Sequence, residues 1–560
     1  MKRSPFNKIL LAFQKTLLAM FAALLLLQAF TTLDWRMEHD TPLFHYAAFL
    51  MDKYDLVPYR DIFQTDMPGT FAFHYIIGKL FGYGDLPFRY VDLALLGALL
   101  VATYVFMKRF GRLVALWAAI LFGLVYLSKG STMSLQRDYI GIIPIAFALL
   151  SIPIKMNIPV RLARFALIGM LFGISILIKP HLGIAFPVVF GTLLVFRWHS
   201  QRKSALDFLK CATVSGVSLL VPAIIALLWL VANSALVPFI NIFFNYLPLH
   251  NSLTGEYKTI SILGRVLYLI EKTSWFGGFA ALLLCSLFSY YHVLTHTEDK
   301  TTVLSLMCLS LCTLAYAVYP TLAGKFWGYH YIPFAYFCAI SAGLCFFTCT
   351  QHPKSRFVCN TKETLPLLIL FIAVTVQLPL YHDVYSLVSD LRSGPRAHKP
   401  KGGRVDEIAD WLKGRLHIGD SVQPLDWIGG SVHAMLLAEA KLATQFMYDY
   451  QFYHHVSSPY VQGLRQSFIS QLRKALPRFI IDVQEEKPWV SGIDSTREFP
   501  ELREFLDDYY TVVYEGDGYL IYERINDRQS QDAQLNGKAT MHGPVKAPPR
   551  WIYGICAKIN

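Results

Sequence analysis

Charged residues are scarce in this chain. They make up 16% of the 560 residues, whereas soluble domains average about 25%. The apolar residues collect in blocks of roughly 18–24 residues, which is about the length of a helix that crosses a bilayer. This pattern excludes an ordinary soluble protein. The formal net charge of +12 does not indicate nucleic-acid binding, because much of the excess lies in short loops between the blocks.

Nucleotide-binding motifs, internal repeats and dense metal-ligand clusters are also missing. There is no GxxxxGK(S/T) loop and no GxGxxG motif after a strand, which argues against direct use of ATP or a nucleotide sugar. Residues 386–525 contain no cysteine, so they offer no disulfide framework. No cofactor and no metal ligands are predicted, and dependence on a divalent metal is left open.

Eleven apolar stretches are predicted to cross the membrane as α-helices. The first is interpreted as an uncleaved span, since no convincing cleavage site precedes Asp34. Pro180 separates two stretches, because a proline there ends or kinks a helix. The predicted spans are approximately 9–33, 88–107, 113–128, 139–154, 163–179, 181–196, 211–232, 274–294, 302–320, 331–350 and 363–382.

Positive charge falls in alternate loops, which predicts a cytoplasmic N-terminus. The first loop on the other side, 34–87, is acidic. Its charged residues are Asp34, Glu38, Asp40, Asp52, Asp55, Asp61, Asp66 and Asp85, against Arg36, Lys53, Arg60 and Lys79. An odd number of spans then places the C-terminal region outside the cytoplasm. We therefore predict a multi-pass membrane protein.

Composition divides the chain into four parts. Residues 1–385 are the predicted transmembrane domain, and 386–403 form a linker rich in glycine, proline and basic residues. Residues 404–525 combine one amphipathic helix with short apolar runs at 479–483, 511–514 and 519–522, which predicts a small soluble α/β domain. The tail, 526–560, is assigned no fold.

Ionisable side chains gather at the predicted outer ends of the spans, where they are costly and often mark a site. A carboxylate there can act as a general base, and Lys, Arg and His can hold a phosphate leaving group. The combination suits glycosyl transfer from a lipid-phosphate sugar, and solvation at the interface is the alternative. The candidates are Glu38, His39, Asp40, Arg60, Arg137, Asp138, Lys179, His181, Lys325, Tyr329 and His330.

A longer pattern in the first outer loop comprises Glu38, Asp40, Pro42, Tyr46, Ala47, Ala48, Pro58, Tyr59, Arg60, Asp61, Pro68, Phe88, Arg89 and Asp92. It resembles the first loop of the GT-C superfamily of membrane glycosyltransferases. The likeness is closer to the bacterial branch related to protein O-mannosyltransferases and the lipid A aminoarabinose transferase. The stretches 136–138, 179–181 and 325–330 are similar to later motifs of such proteins. The resemblance covers roughly 1–385 and implies a GT-C-like helical membrane fold in the bacterial inner membrane.

The resemblance implies an inverting transfer of a hexose or pentose. The donor would be a polyprenyl-phosphate sugar and the acceptor a lipid, glycan or protein hydroxyl. Asp40, Glu38 and Asp138 would be catalytic, and the other candidates would bind substrate. The two acids of the first loop are split by His39, which departs from the usual pattern and leaves the identity of the base open. Asp40 is favoured, because it stands at the usual distance before Tyr46.

Two other functions fit parts of the pattern. A transporter or flippase of a lipid-linked or anionic substrate would place its charges near the midplane and show inverted repeats. A non-catalytic envelope assembly protein would work through 404–525. Convergence of Asp40, Asp138, Lys179 and His330 on one cavity would favour the transferase.

Overall fold

The computed structural model describes residues 5–201, 204–251, 261–323, 326–346, 399–484, 490 and 494–525. Several predicted features lie outside these residues. They are the eleventh span, Lys325, most of the linker and the tail.

The N-terminal part of the chain is helical. Each of the first ten predicted spans overlaps one of its helices. The helices are α1 (Pro5–Thr31), α2 (Thr41–Tyr54), α3 (Pro68–Phe81), α4 (Asp85–Met107), α5 (Arg112–Leu127), α6 (Arg137–Leu149), α7 (Leu162–Ile178), α8 (Phe186–Ser200), α9 (Ala205–Ala232), α10 (Leu236–Asn241), α11 (Leu247–Asn251), α12 (Ile262–Ser274), α13 (Ala280–His296), α14 (Lys300–Ala323) and α15 (Ile332–Ala342).

Six described helical segments are long and apolar enough to cross a membrane, or seven if the bent pair 262–278 and 280–295 counts as one. α5 and α7 are also apolar but shorter. The chain is therefore an integral membrane protein. The count of eleven spans stays a prediction, as do its orientation and its membrane.

Glycines bring two of these helices close together. A Cβ atom on Gly169 of α7 would lie 2.2 Å from the Ser215 carbonyl oxygen of α9, and one on Gly173 would lie 2.3 Å from that of Leu219. Small residues allow membrane helices to pack backbone against backbone. This contact holds α7, whose C-terminal end carries Lys179.

The first predicted loop, 34–87, contains two helices, α2 and α3, that were not predicted from the sequence. Pro42 lies in the first turn of α2, where its fixed φ and missing N–H are tolerated. The stretch from Thr41 to Leu50 is buried on every side. α2 packs against α3 and against the C-terminal domain, so the residue before it, Asp40, is held at the boundary between the two parts of the chain.

The C-terminal domain contains one five-stranded sheet. Its elements are α16 (Arg404–Lys413), β1 (Ser421–Leu425), α17 (Ser431–Leu437), β2 (Lys441–Leu442), α18 (Pro459–Ala475), β3 (Phe479–Val483), α19 (Pro500–Tyr509), β4 (Tyr510–Gly516) and β5 (Tyr519–Arg524). The strand order is β2-β1-β3-β5-β4. β1 is parallel to β2 and β3, and β5 is antiparallel to β3 and β4.

Asp85 fixes this domain to the membrane part. Its carboxylate accepts hydrogen bonds from the Arg36 guanidinium at 2.7 Å and from the Met37 backbone at 2.9 Å. His433 of α17 contacts the same carboxylate at 2.9 Å through Nε2. The Arg36 guanidinium also binds Asp406 of α16 at 2.7 Å. The docked domain and the helix ends then enclose a cavity between them.

Candidate active site

A cavity of about 170 Å³ lies between one end of the helical bundle and the C-terminal domain. It forms where α6 begins, where α7 and α14 end and where the short 3-10 helix Gly328–Tyr331 leads into α15. Six predicted site residues line it, namely Asp40, Arg137, Lys179, His181, Tyr329 and His330. The structure thus brings together residues from well-separated stretches of the sequence.

Asp40 is the cavity carboxylate nearest the start of α2. It is buried, and one of its oxygens accepts a hydrogen bond of 3.0 Å from the Tyr329 hydroxyl. The other oxygen lies 3.1 Å from Nδ1 of His39. Burial acts to raise the pKa of Asp40, but the His39 and Arg137 charges and the Tyr329 bond outweigh it and hold that pKa well below its ordinary value. Asp40 therefore stays ionised at neutral pH.

His39 is the partner that keeps Asp40 charged. Burial acts to lower the pKa of His39, but the Asp40 carboxylate outweighs this effect and raises it. The backbone of His39 has a φ of 56°, a left-handed conformation that is uncommon outside glycine. This turn places the imidazole beside the carboxylate of the next residue.

Lys179 is the cavity cation with the most defined anchor. It follows the last turn of α7 with an extended backbone, as expected for a residue before proline. Its Nζ lies 2.8 and 3.0 Å from the two carboxylate oxygens of Asp138, which is fully buried in the first turn of α6. The Tyr319 hydroxyl donates to the same carboxylate. Asp138 thus lies behind Lys179 and holds its ammonium at the cavity wall.

Arg137 is anchored by a carboxylate from the first loop. Its guanidinium pairs with Asp66, which also lines the cavity. The ring of His181 meets Tyr319 edge to face at 6.3 Å, and His330 meets Tyr329 in the same manner at 4.7 Å. The cations that line the cavity, Arg137 and Lys179, are therefore each paired with a carboxylate.

Five predicted site residues are not among the described residues that line this cavity. Two of them, Asp138 and His39, pair instead with the lining residues Lys179 and Asp40. Glu38 accepts a hydrogen bond of 2.6 Å from the Ser131 hydroxyl and faces a separate, smaller cavity under the C-terminal domain. Arg60 is exposed and pairs with Asp61 at 2.7 Å. Lys325 lies outside the described residues. Among those described, no group of three or more His, Cys, Asp and Glu side chains is placed to hold a metal ion.

Sequence reasoning did not include several of the lining residues among the site residues. Among these are Gln64, Thr65, Asp66, Trp427, Tyr448 and Tyr450. Asp66 could have been predicted from the sequence, since it is one of the acidic residues of the first outer loop. The aromatic residues come from the C-terminal domain and belong to no motif, so only the docking of that domain reveals them.

The predicted GT-C-like helical fold is confirmed by similarity to solved structures, which shows the fold alone. No protein-family model and no curated protein gives a significant sequence match. The fold is similar to that of ArnT from Cupriavidus metallidurans bound to undecaprenyl phosphate. The TM-score is 0.55 at 15% identity, over 91% of this chain and 98% of that one. The apo state of the same ArnT gives a TM-score of 0.53 over the same shares.

A more distant likeness extends to an archaeal oligosaccharyltransferase, AglB from Archaeoglobus fulgidus. Its TM-score is 0.45 at 13% identity, over 90% of this chain and 74% of that one. At 15% identity, the likeness to ArnT establishes the fold alone. The activity has to be argued from the cavity.

Proposed function

We propose that this chain is an inverting membrane glycosyltransferase. It would move a hexose or pentose from a polyprenyl-phosphate donor to a hydroxyl of an envelope acceptor, on the outer face of the bacterial inner membrane. The observation that carries the proposal is the cavity itself. An ionised carboxylate, Asp40, shares it with Lys179 and Arg137 at the helix ends, where a lipid-linked substrate has both its tail in the membrane and its head in water.

In this mechanism Asp40 is the general base that takes the proton of the acceptor hydroxyl. Glycosyl transfer passes through an oxocarbenium-like transition state, so the attacking hydroxyl becomes acidic as its bond to the sugar forms. A carboxylate with a low pKa is a weak base, but it is always in the form that can take this proton. Attack from the Asp40 side, with the phosphate leaving from the opposite side, inverts the anomeric centre.

The leaving phosphate is bound by three basic residues, Lys179, Arg137 and His181. The polyprenyl phosphate gains negative charge as its sugar departs, and fixed cations stabilise that charge in the transition state. Lys179 and Arg137 are already oriented by Asp138 and Asp66, so little reorganisation is needed when the donor arrives. The shared fold with an ArnT crystallised with undecaprenyl phosphate supports a lipid-phosphate donor.

The test begins with an intact-lipid and glycan mass comparison between wild-type and deletion cells, which identifies the missing product. Asp40→Asn should then lower turnover in membranes by about 10²-fold or more, the scale of general-base catalysis. Glu38→Gln should do less, because Glu38 faces another cavity. Both variants should be present in the membrane at wild-type levels. Equal turnover of wild type and Asp40→Asn would remove Asp40 from the mechanism.

A further inference from the structure

The cavity has a second set of lining residues that the proposed mechanism does not use. Trp427, Tyr448 and Tyr450 come from the C-terminal domain, and Gln64 and Thr65 come from the first loop. None of these side chains carries a formal charge at neutral pH. They therefore differ in chemistry from the cations and carboxylates that face the same volume.

The rings of Trp427 and Tyr450 are held in place by contacts within the C-terminal domain. The ring centroids of Trp427 and Tyr450 are 4.7 Å apart with an angle of 56° between their planes. The Tyr450 ring stacks on His454 at 4.4 Å. The Asp426 carboxylate accepts hydrogen bonds from the backbone amides of Gly429 and Ser431 at 2.8 and 3.0 Å. That bonding fixes the turn that carries Trp427.

Gln64 supplies a polar group without a partner. Its side chain is 1% exposed, it lines the cavity, and its Nε2 has no hydrogen-bond partner among the described residues. Its neighbours are well held, since the Phe63 amide donates to the Gln445 carbonyl at 2.7 Å and the Thr65 side chain bonds to Tyr448. A buried amide left unbonded is costly, so a ligand that bonds it would gain affinity.

We infer that Gln64, Trp427, Tyr448 and Tyr450 form an acceptor subsite that binds an uncharged sugar ring, so that the acceptor is a glycan. This inference rests on the proposed transferase function and narrows its acceptor from lipid, glycan or protein to carbohydrate. A sugar ring offers weakly polar C–H faces that match fixed aromatic rings. Its hydroxyls match the Gln64 amide and the phenol of Tyr448.

The acceptor subsite can be tested without knowing the natural acceptor. Full-length protein in lipid nanodiscs is probed by saturation-transfer NMR with methyl hexopyranosides and, separately, with a short serine-containing peptide. Wild type should transfer saturation to the ring C–H protons of at least one pyranoside. Trp427→Leu and Gln64→Leu should each weaken its binding about fivefold or more, the scale of one lost contact. The matched control, Tyr509→Leu, changes an exposed aromatic of α19 and should bind like wild type.

The melting temperature of the same variants shows whether a loss of sugar binding comes from misfolding. Leucine at position 64 removes an unbonded amide, so Gln64→Leu should melt at or above the wild-type temperature. A marked fall in melting would show that this amide is bonded within the protein, which would overturn the inference. Transfer to the peptide that depends on Trp427, with none to any pyranoside, would overturn it in favour of a protein acceptor. Binding to neither probe would also overturn it.

Binding of undecaprenyl phosphate, followed by native mass spectrometry, separates this inference from the proposed function. Wild type, Trp427→Leu and Gln64→Leu should all retain the lipid phosphate. Retention of the lipid phosphate without any sugar binding would overturn the glycan subsite and leave the proposed donor standing. Failure of wild type to bind the lipid phosphate would overturn the proposed function itself.

Discussion

Replacing Lys179 by methionine would leave the Asp138 carboxylate buried without the ammonium that lies 2.8 Å from it. Asp138 is fully inaccessible to solvent and Lys179 is 7% exposed. Breaking a buried ion pair by removing one partner typically costs about 3–5 kcal/mol, because the remaining charge is uncompensated. Lys179→Met should therefore lower the melting temperature of the detergent-solubilised protein by several degrees, whether or not the lysine binds phosphate.

A double variant separates the structural role of Lys179 from its proposed chemical role. Lys179→Met combined with Asp138→Asn removes both charges, and replacing a whole buried pair by neutral groups is often close to neutral for stability. The asparagine amide oxygen in this variant can still accept the hydrogen bond that the Tyr319 hydroxyl donates to Asp138. Most of the lost melting temperature should return in the double variant, while undecaprenyl phosphate binding should stay weaker than in wild type.

The assay measures melting by intrinsic fluorescence and lipid binding by native mass spectrometry on the same preparations. Asp138→Asn alone is the control that retains the cation. Wild-type lipid affinity in a stable double variant would refute the phosphate role of Lys179. A double variant that melts as low as Lys179→Met alone would refute the ion-pair reasoning.

Other contacts and the charge pattern lead to three further predictions. His39→Gln removes a positive charge 3.1 Å from Asp40, so the pKa of Asp40 should rise and the acid limb of the pH–rate profile should move to higher pH. The raised pKa of His39 stabilises the fold below the unfolded histidine pKa of about 6.5 and this contribution is lost as pH rises through the folded value. The melting difference between wild type and His39→Gln should therefore shrink as the pH rises above about 6.5, and a difference that stays constant with pH would contradict the pairing. Asp85→Asn should speed hydrogen exchange in α17, since His433 loses its carboxylate contact. Asp406→Asn changes a side chain that is 43% exposed and should have little effect there. A reporter that is active only outside the cytoplasm, fused after Arg404, should be active, and a silent fusion would reverse the predicted orientation.

The cavity residues of the membrane part were largely predictable from sequence. Asp40, Lys179, His181 and His330 are ionisable residues at the ends of apolar stretches, and such residues are rarely kept in a membrane without a use. Their partners were not predictable. Arg137 pairs with Asp66, which lies 71 residues away, and Lys179 pairs with Asp138, which lies 41 residues away. Hydrophobic patterns locate helix ends but contain no information on which ends meet.

The sheet shows a different limit. Three strands, β3, β4 and β5, coincide with apolar runs and were predicted, whereas β1 was not. β1 contains Pro424, and proline is rarely compatible with a central strand, yet β1 lies between β2 and β3 in parallel register. The missing N–H of Pro424 points toward the β2 side, where β2 has already ended, because β2 ends at Leu442, which pairs with Val422. Beside it, the Gln423 side chain donates to the carbonyls of Pro424 and Phe446 at 3.0 and 2.8 Å. Such local compensation depends on the folded neighbours and cannot be read from a hydrophobic pattern.

In the proposed mechanism, the pairing of charges would allow one cavity to hold a phosphate in the transition state and still release it. Before the donor binds, His39 faces Asp40, Arg137 faces Asp66 and Lys179 faces Asp138, so each cation is already partly neutralised. A phosphodiester donor with one charge gains modest affinity from such cations. The charge that develops as the sugar leaves gains more, because an ammonium has three donors and a guanidinium five, and the carboxylates use only part of them. Interactions that strengthen in the transition state raise the rate, whereas uniformly tight binding would slow release of the polyprenyl phosphate. The carboxylates behind the cations are therefore as much a part of the proposed mechanism as the cations are.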